Sequence, residues 1–248
     1  MALLEVRNVT RRFGGIVALD DVSFDVDAGQ IAGLIGPNGA GKTTVFNVIT
    51  RLYRPDSGQV LFDGSSLMRT APHRIVRRGI ARTFQNVELF PGMSVLDNVL
   101  VGTHSRSGWF AERRARRAAE EALEEVGAAE VAGRPAVGLP FGTLKRVELA
   151  RALAASPRLL LLDEPAGGLN HEEVDALGGL IRRIRKQRDL TILLVEHHMS
   201  LVMSVSDRVQ VLDFGRKIAE GTPEEVQRDP AVIEAYLGEV PPSPPSSS

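Results

Sequence analysis

Residues 36–43, with the sequence Gly-Pro-Asn-Gly-Ala-Gly-Lys-Thr, have the types and spacing of a loop that binds phosphate groups. An apolar run at residues 31–35 precedes it and an amphipathic stretch at residues 42–52 follows, which favours a strand-to-helix loop over an unliganded glycine-rich turn. Glycines let backbone N–H groups approach an anion, and the helix N-terminus adds about half a positive charge. Lys42 is therefore predicted to meet the β and γ phosphates of a nucleotide, and the Thr43 hydroxyl to bind Mg²⁺. The residues predicted to contact the nucleotide here are Gly36, Pro37, Asn38, Gly39, Ala40, Gly41, Lys42, Thr43 and Thr44.

Two carboxylates, Asp163 and Glu164, follow four consecutive leucines at residues 159–162. Such a run is typical of a buried strand, and ligands of open α/β sheets bind at the carboxyl ends of strands. Asp163 is predicted to hold hydrated Mg²⁺ and Glu164 to orient and deprotonate the attacking water, a role that contributes about 10²–10⁴-fold to a rate. The alternative is a charged strand end without a catalytic role.

Two further segments put chemical groups at the ends of predicted elements. Residues 139–143, Leu-Pro-Phe-Gly-Thr, precede a helix at residues 144–154 whose apolar positions have helical spacing, so a second helix N-terminus is available to an anion. A second apolar run, residues 191–195, is followed closely by His197 and His198.

The composition limits what kind of chain carries these groups. Its 248 residues, 43% of them hydrophobic, can build one packed domain with an insertion. A net charge of −1 argues against a surface that coats nucleic acid, and the lack of cysteine excludes disulfides and thiolate metal sites. Apolar runs of about five to seven residues fall far short of the roughly 20 that span a bilayer, so we expect a soluble chain whose membrane contact goes through a partner.

The elements that must position these groups are predicted to form a mixed α/β fold. Residues 3–26 alternate apolar and polar side chains, which predicts antiparallel strands with one wet face, and residues 59–62 form another strand. The continuous apolar runs predict a parallel sheet, with residues 213–215 turning a hairpin beside it. Short helices are expected to about residue 237, followed by a disordered Pro/Ser tail at residues 241–248.

Residues 72–157 are predicted to be mostly helical. Within them, residues 111–126 carry apolar side chains at helical spacing among mixed charges, which indicates a surface helix with one buried stripe. The mixed charges make a nucleic-acid groove a weak alternative.

The order of these motifs resembles an ABC-transporter nucleotide-binding domain. The resemblance rests on the phosphate loop, Gln85, the Leu-x-x-Gly-x helix start, Leu-Leu-Leu-Leu-Asp-Glu and His197, and it covers about residues 3–240. It implies a P-loop NTPase fold with a RecA-like core, an N-terminal antiparallel β subdomain and an α-helical subdomain at about residues 88–157. It also implies an ATPase that uses ATP and Mg²⁺.

The resemblance assigns the signature motif to Leu139, Gly142 and Thr143, which contact the nucleotide of the other subunit in a head-to-tail dimer. The usual form is Leu-Ser-Gly-Gly-Gln, and this chain carries Pro140, Phe141 and Thr143 at three of those positions. We expect a weakened contact, because Pro140 lacks an N–H, and the alternative is a degenerate site.

The resemblance also gives roles to four residues elsewhere. His197 is the switch histidine that senses the γ-phosphate, whereas His198 lies where relatives often carry Asp. Gln85 reaches Mg²⁺ and links the site to the membrane subunit. Phe13 stacks on adenine, with core packing as the alternative. Asn170 replaces the usual Asp of the D-loop and can hydrogen-bond across the dimer.

Within this family, four segments together resemble the ATP-binding subunit of branched-chain amino-acid importers: Pro140-Phe141 in the signature motif and residues 166–170, 196–203 and 233–239. The C-terminal Ala-Tyr-Leu-Gly-Glu at residues 235–239 is the most specific of them. Lipopolysaccharide-export and urea-import ATPases are close alternatives. The resemblance implies a second ATP-binding subunit in a homo- or heterodimer, integral-membrane permease subunits, indirectly a substrate-binding protein, and a place on the cytoplasmic face of the membrane. A DNA-repair or translation ATPase would need a coiled-coil insertion or two phosphate loops, and Glu164 disfavours a non-hydrolysing module.

Overall fold

A six-stranded sheet forms the centre of the computed structural model, which describes residues 1–103 and 111–237. Its order is β10-β9-β3-β8-β7-β6, and all neighbours are parallel except the β9–β10 hairpin. Every residue of β3, β7 and β8 is buried, as their continuous apolar sequences predict. The strands are β3 (Ile31–Ile35), β6 (Ile80–Arg82), β7 (Leu159–Asp163), β8 (Thr191–Val195), β9 (Arg208–Asp213) and β10 (Arg216–Gly221).

The edge strand β6 lies inside the region for which the sequence predicts mostly helix. Residues 72–74 and 76–78 do form short 3-10 helices, but Ile80 pairs with Leu159 and Arg82 with Leu161 in a parallel ladder. Three residues are too few to show the alternation that marks a strand. The pairing brings the chain that follows β6 beside the carboxyl end of β7.

A second, antiparallel sheet has the order β2-β1-β4-β5 and confirms the prediction for the N-terminal part. Its strands alternate buried and exposed residues, because one face packs on the core and the other faces water. These strands are β1 (Ala2–Phe13), β2 (Ile16–Asp27), β4 (Ser57–Phe62) and β5 (Ser65–Ser66).

Helices cover both faces of the main sheet. Alternate residues of β7 point to opposite sides, so Leu160 and Leu162 join one core cluster and Leu159 and Leu161 the other. The first cluster includes α2, α3, α4 and α5, and the second includes α1 and the antiparallel sheet. The helices are α1 (Lys42–Ile49), α2 (Val95–Val101), α3 (Ala111–Glu125), α4 (Phe141–Ala154), α5 (His171–Arg188), α6 (Met199–Val205), α7 (Pro223–Arg228) and α8 (Pro230–Leu237).

The surface helix α3 has the predicted character. Ala119, Ala122 and Leu123 are buried, and the exposed face carries the ion pairs Arg116–Glu120 and Arg117–Glu121 at 2.9 and 2.8 Å. Exposed pairs of this spacing contribute only about 0.3–0.5 kcal/mol each, so the buried stripe holds the helix in place.

The C-terminal part ends in two short helices, as predicted. A capping box between Thr222 and Glu225 begins α7, and α8 ends at Leu237. The predicted disordered tail at residues 241–248 lies outside the described residues. Among residues 1–103 and 111–237, no helix combines the length and the hydrophobicity that crossing a bilayer requires.

Candidate nucleotide site

The loop between β3 and α1 has a backbone that requires glycine. Gly36 and Gly41 have φ angles of 151° and 105°. A Cβ on Gly36 would lie 2.0 Å from the Leu212 carbonyl oxygen, and one on Gly41 2.6 Å from the Ala18 carbonyl oxygen. Gly41 is also the N-cap of α1 and provides no side-chain acceptor, so the first-turn N–H groups of α1 remain available to an anion. This geometry fits a phosphate group.

Lys42 lies at the start of α1 with its side chain folded back over the loop. Its residue is 7% exposed, and its Nζ donates to the carbonyl oxygens of Gly36 and Pro37 at 2.7 and 2.9 Å. Burial lowers the pKa of Lys42, and the charges of Glu164 and Asp163 oppose that shift. The phosphate loop and the two carboxylates therefore lie close enough to influence one another electrostatically. Thr43 is exposed and Thr44 is half-buried in the same helical turn.

Neighbouring elements hold the loop in position. The Gly215 N–H, in the β9–β10 turn, donates to the Ala40 carbonyl oxygen at 3.1 Å. Tyr236 of α8 places its phenol beside the Gly36 backbone, which lowers the pKa of that phenol, but partial burial of this 40% exposed residue has the larger effect and raises the pKa to about 12. In the sequence, Tyr236 belongs to a C-terminal segment with no local pattern that would indicate its place beside the loop.

Asp163 is buried at the end of β7 and forms an ion pair that the sequence analysis did not predict. The Arg82 Nη2 donates to Asp163 Oδ2 at 2.6 Å, and the Arg82 Nη1 donates to Asn47 Oδ1, in α1, at 2.7 Å. Arg82 comes from β6, the strand that the sequence pattern does not reveal. It connects the helix of the phosphate loop to the first predicted acid.

Glu164 lies beside two other predicted site residues. The Gln85 Nε2 donates to Glu164 Oε2 at 2.7 Å, and His197 Nδ1 lies 3.7 Å from the same oxygen. Glu164 has a φ of 47°, in the left-handed region that non-glycine residues adopt only at a cost in strain. The His198 ring packs against the His197 ring, with centroids 4.6 Å apart. The structure thus brings together Glu164, Gln85 and His197.

The backbone around Gln85 is held by α4. The Lys145 Nζ donates to the Gln85 carbonyl oxygen at 2.9 Å, and the Phe84 N–H donates to Glu148 Oε1 at 3.1 Å. Glu148 is buried, and this burial raises its pKa despite the nearby Lys145 and Arg151. A movement of α4 would therefore be transmitted to Gln85.

Phe13 lies on the surface near the end of β1 rather than in the core, with 37% of its area exposed. Its ring packs edge-to-face on Tyr53 at 5.1 Å, and the Arg11 guanidinium lies 4.5 Å from its centroid. Arg11 is in turn paired with Asp56 at 3.3 Å. An exposed aromatic side chain supported in this way fits a platform for a nucleobase and does not fit the core alternative.

The predicted signature residues lie at the start of α4. Pro140 is the N-cap and makes no side-chain cap, Gly142 and Thr143 are partly exposed, and the Leu139 side chain is buried. Only the backbone of Leu139 is thus available to a ligand. Across residues 1–103 and 111–237, no hydrogen bond joins residues 139–143 to the phosphate loop, and their role toward another subunit stays a prediction.

Asn170 has a role within its own chain. Its side chain accepts a hydrogen bond from the Glu173 N–H at 3.0 Å, and Glu173 Oε2 accepts one from the Asn170 N–H at 3.0 Å. This capping box begins α5. The amide N–H₂ of Asn170 remains the group for its predicted contact across a dimer.

The oxygen atoms near the loop suit a hard cation. Thr43 offers a hydroxyl, Asp163 a carboxylate and Gln85 its amide oxygen, since the Gln85 Nε2 is the atom bonded to Glu164. Mg²⁺ prefers oxygen ligands and takes few of them from protein. The residues present therefore fit the predicted Mg²⁺.

Comparison with known proteins decides the family. The profile of the ABC transporter family matches residues 19–167, more than half of the chain. The chain belongs to the ABC transporter family. A profile described as branched-chain amino acid ATP-binding cassette transporter matches residues 216–241 of this ABC protein.

Relatives of this ABC protein match over nearly its whole length. It is 45% identical to the high-affinity branched-chain amino acid transport ATP-binding protein BraF of Pseudomonas aeruginosa and 44% identical to LivG of Escherichia coli, covering 96% of this chain and 98% of each relative. The lipopolysaccharide export system ATP-binding protein LptB of Haemophilus influenzae is 34% identical over the same shares.

Solved ABC cassettes have the same fold. The ADP conformation of an ATP-binding cassette of an ABC transporter superposes with a TM-score of 0.87 at 31% identity, covering 96% of this chain and 100% of that one. A dimeric cassette in a post-hydrolysis state, bound to ADP and Pi, gives 0.79 at 25% identity over 89% and 98%. As an ABC ATP-binding subunit, the chain binds nucleotide and hydrolyses ATP to power transport through membrane permease subunits.

Proposed function

We propose that this ABC subunit powers the import of branched-chain or related amino acids. The observation that carries this proposal is the 44–45% identity to branched-chain amino acid transport proteins over 96% of the chain. The second profile match, at residues 216–241, supports the same substrate class. The 34% identity to a lipopolysaccharide export protein is lower over an equal share of the chain, so lipid export is the weaker candidate.

Each nucleotide is bound by two ATP-binding subunits in this proposal. The loop at residues 36–44 receives the phosphates of one nucleotide, and Phe13 stacks on its adenine. Leu139, Gly142, Thr143 and Asn170 act on the nucleotide of the other subunit, which is either a second copy or a related chain. Support comes from the uncapped start of α4 at Pro140 and from the dimeric form of a similar cassette.

The chemistry in each site depends mainly on positioning and charge. Glu164 accepts a proton from the attacking water at its carboxylate, which Gln85 holds through one oxygen. Lys42 provides positive charge at the β and γ phosphates, and His197 contacts the γ-phosphate from the side of Glu164. Thr43, Gln85 and Asp163 are the residues that would hold Mg²⁺, which would supply positive charge against the phosphate oxygens.

The membrane subunits dock beside the segment that carries Gln85. A groove of about 800 Å³ opens there, lined by β6 and by the C-terminal ends of α1, α2 and α4. Leu52, Phe84 and Phe90 are exposed at 56%, 42% and 49%, which provides apolar area for a protein partner. We further propose that the assembly works on the cytoplasmic face of the membrane, where ATP is available, and receives its substrate from a separate binding protein.

The test is purification of the tagged chain with its membrane subunits, followed by reconstitution into liposomes that contain ATP. Uptake of labelled leucine, isoleucine or valine that requires ATP and the substrate-binding protein supports the proposal. A matched complex carrying Glu164→Gln is the control and should lose uptake. Uptake of urea instead, or recovery of the chain with a lipid exporter, would overturn the substrate class.

A further inference from the structure

Glu196 is a fully buried carboxylate that none of the roles above includes. It follows β8 directly and has an exposure of 0%. Its Oε1 accepts a hydrogen bond from the Ala166 N–H at 2.6 Å. Its Oε2 accepts from the N–H groups of His197 and His198 at 3.0 and 3.2 Å. One side chain therefore receives three backbone donors from two separate loops.

The two loops carry the two groups of the proposed chemistry. Ala166 lies two residues after Glu164, and the turn between Glu164 and Ala166 is closed by the Gly167 N–H, which donates to the Glu164 carbonyl oxygen at 3.1 Å. On the other loop, Glu196 binds the N–H of His197 itself. Inside the sheet, β7 and β8 are joined by their ladder, which ends with the Glu164 N–H donating to the Val195 carbonyl oxygen at 2.8 Å. Glu196 extends this connection beyond the end of the sheet.

The backbone N–H groups around residue 196 require a hydrogen-bond acceptor at this position. An apolar side chain at residue 196 would remove the acceptor of three backbone N–H groups, and the one on the fully buried Ala166 would be left without an acceptor away from water, which is unfavourable. Possible ligand atoms of Glu196, His197 and His198 lie within 4.8 Å of one another, but both Glu196 oxygens already accept backbone N–H groups. These bonds favour a positioning role over metal binding.

We propose that Glu196 is a positioning residue that fixes the distance between Glu164 and His197. It does so by binding the chain just after the general base and the chain at the switch histidine with the two oxygens of one carboxylate. No hydrogen bond of Glu196 reaches the phosphate loop or Phe13 within the described residues, so its loss should change turnover and leave nucleotide affinity intact. The inference rests on ATP hydrolysis and is independent of the transported substrate.

Glu196→Gln tests this role with little change in volume. A carboxamide has one acceptor oxygen, and its N–H₂ group is a donor that cannot pair with an N–H. Whichever way the amide is oriented, either Ala166 or the histidine loop loses its acceptor. We expect kcat to fall by about tenfold to 100-fold, because displacing a reacting group by about 1 Å can lower the rate by about 100-fold. KM should stay within about twofold of the wild-type value.

Glu225→Gln is the matched control, because Glu225 Oε2 also accepts a backbone N–H, from Thr222 at 2.8 Å, but in the capping box of α7. It should hydrolyse ATP at the wild-type rate. If the wild-type protein itself failed to hydrolyse ATP in this assay, the result would contradict the ATPase activity rather than the positioning role of Glu196.

A double-mutant cycle with His197→Ala separates positioning from general support of the fold. Single-turnover hydrolysis with excess enzyme measures the slow variants, and binding of a fluorescent ATP analogue verifies the site. If Glu196 acts by placing His197 against Glu164, adding Glu196→Gln to His197→Ala should cost less than about twofold. Multiplicative losses, an unchanged kcat in Glu196→Gln, or a loss of nucleotide affinity in that variant would each overturn the proposal.

Discussion

At the scale of single residues, the proposed chemistry converges on the carboxylate of Glu164. Gln85 donates to it and His197 lies 3.7 Å away, while Lys42 is close enough for its pKa to respond to the charge. A carboxylate that is oriented by a neutral amide keeps the acceptor capacity that a general base needs. Asp163, paired with Arg82 at 2.6 Å, has a different partner and hence a different role.

Replacing Glu164 by Gln should lower ATP turnover at least tenfold, because the amide cannot accept a proton, while the loop at residues 36–44 still binds nucleotide. Steady-state phosphate release and equilibrium binding of a fluorescent ATP analogue measure the two effects. Steady-state hydrolysis at the wild-type rate in this variant would refute the assignment.

Alanine substitutions of the two adjacent histidines should lower ATP hydrolysis to different extents. His197 approaches Glu164, whereas the described contacts of the His198 side chain are with His197, so His197→Ala should lose most hydrolysis and His198→Ala little. Parallel measurements of phosphate release compare them. Equal losses in both variants would show that the choice of His197 is wrong.

At the scale of elements, the N-termini of α1 and α4 are the two helix starts that are predicted to bind phosphate groups. Both α1 and α4 begin without a side-chain cap, at Gly41 and Pro140, and this leaves their first N–H groups for a ligand. Pro140 also lacks an N–H of its own, which weakens the start of α4 as an anion site.

Pro140→Ser should strengthen this helix start, and Pro140→Ala is its matched control. Serine supplies a cap oxygen that alanine lacks, which is worth about 1 kcal/mol in unfolding free energy between the two variants. Both restore an N–H, but only serine adds a hydroxyl, so its turnover should exceed that of alanine and of wild type. Denaturant unfolding and phosphate release are the measurements, and equal values for serine and alanine would contradict the prediction.

The contact between α8 and the phosphate loop predicts a dependence on alkaline pH. Partial burial of the Tyr236 phenol raises its pKa from 10.0 to about 12, so the folded state holds this proton more tightly than the unfolded state. The contribution to stability is complete below pH 10 and is lost as pH rises to about 12. Tyr236→Phe should therefore lose less stability across this range than wild type, as measured by denaturant unfolding. Parallel curves for the two proteins would contradict the shift.

A structural element can be predicted from the sequence only where its pattern of apolar and polar residues is long enough to be recognised. The continuous apolar strands, the alternating N-terminal strands and the phosphate loop are local patterns, and the structure confirms them. β6 is three residues long, too short for a period, and hence Arg82 was missed. Its partner Asp163 is 81 residues away, and a pairing at such a distance leaves no local signal. The sequence does not reveal the role of Glu196, because two separate loops bring its three backbone donors together only in the folded chain.

At the scale of the whole molecule, the two core clusters meet at the main sheet. One joins it to α1 and the antiparallel sheet, and the other to the helical part that includes α4. The phosphate loop lies on the side of α1 and the antiparallel sheet, and residues 139–143 lie on the side of the helical part. In the proposed assembly, a single copy thus contributes one half-site from each side, and a second subunit completes both of them.

The proposed sharing of the site is tested most directly by mixing two inactive variants. Lys42→Ala removes the charge of the phosphate loop. Gly142→Asp adds a negative charge to the start of α4, where even a Cβ would lie 2.7 Å from Glu173 Oε1. In a mixed dimer, one site receives both defects and the other receives neither.

The measurement is phosphate release from each variant alone and from their equimolar mixture. If two copies of this chain share each nucleotide, each variant alone should be inactive, and the mixture should recover about a quarter of the wild-type rate, since half of the dimers carry one intact site of two. Wild-type hydrolysis by Gly142→Asp alone, or a mixture no more active than its components, would contradict the account.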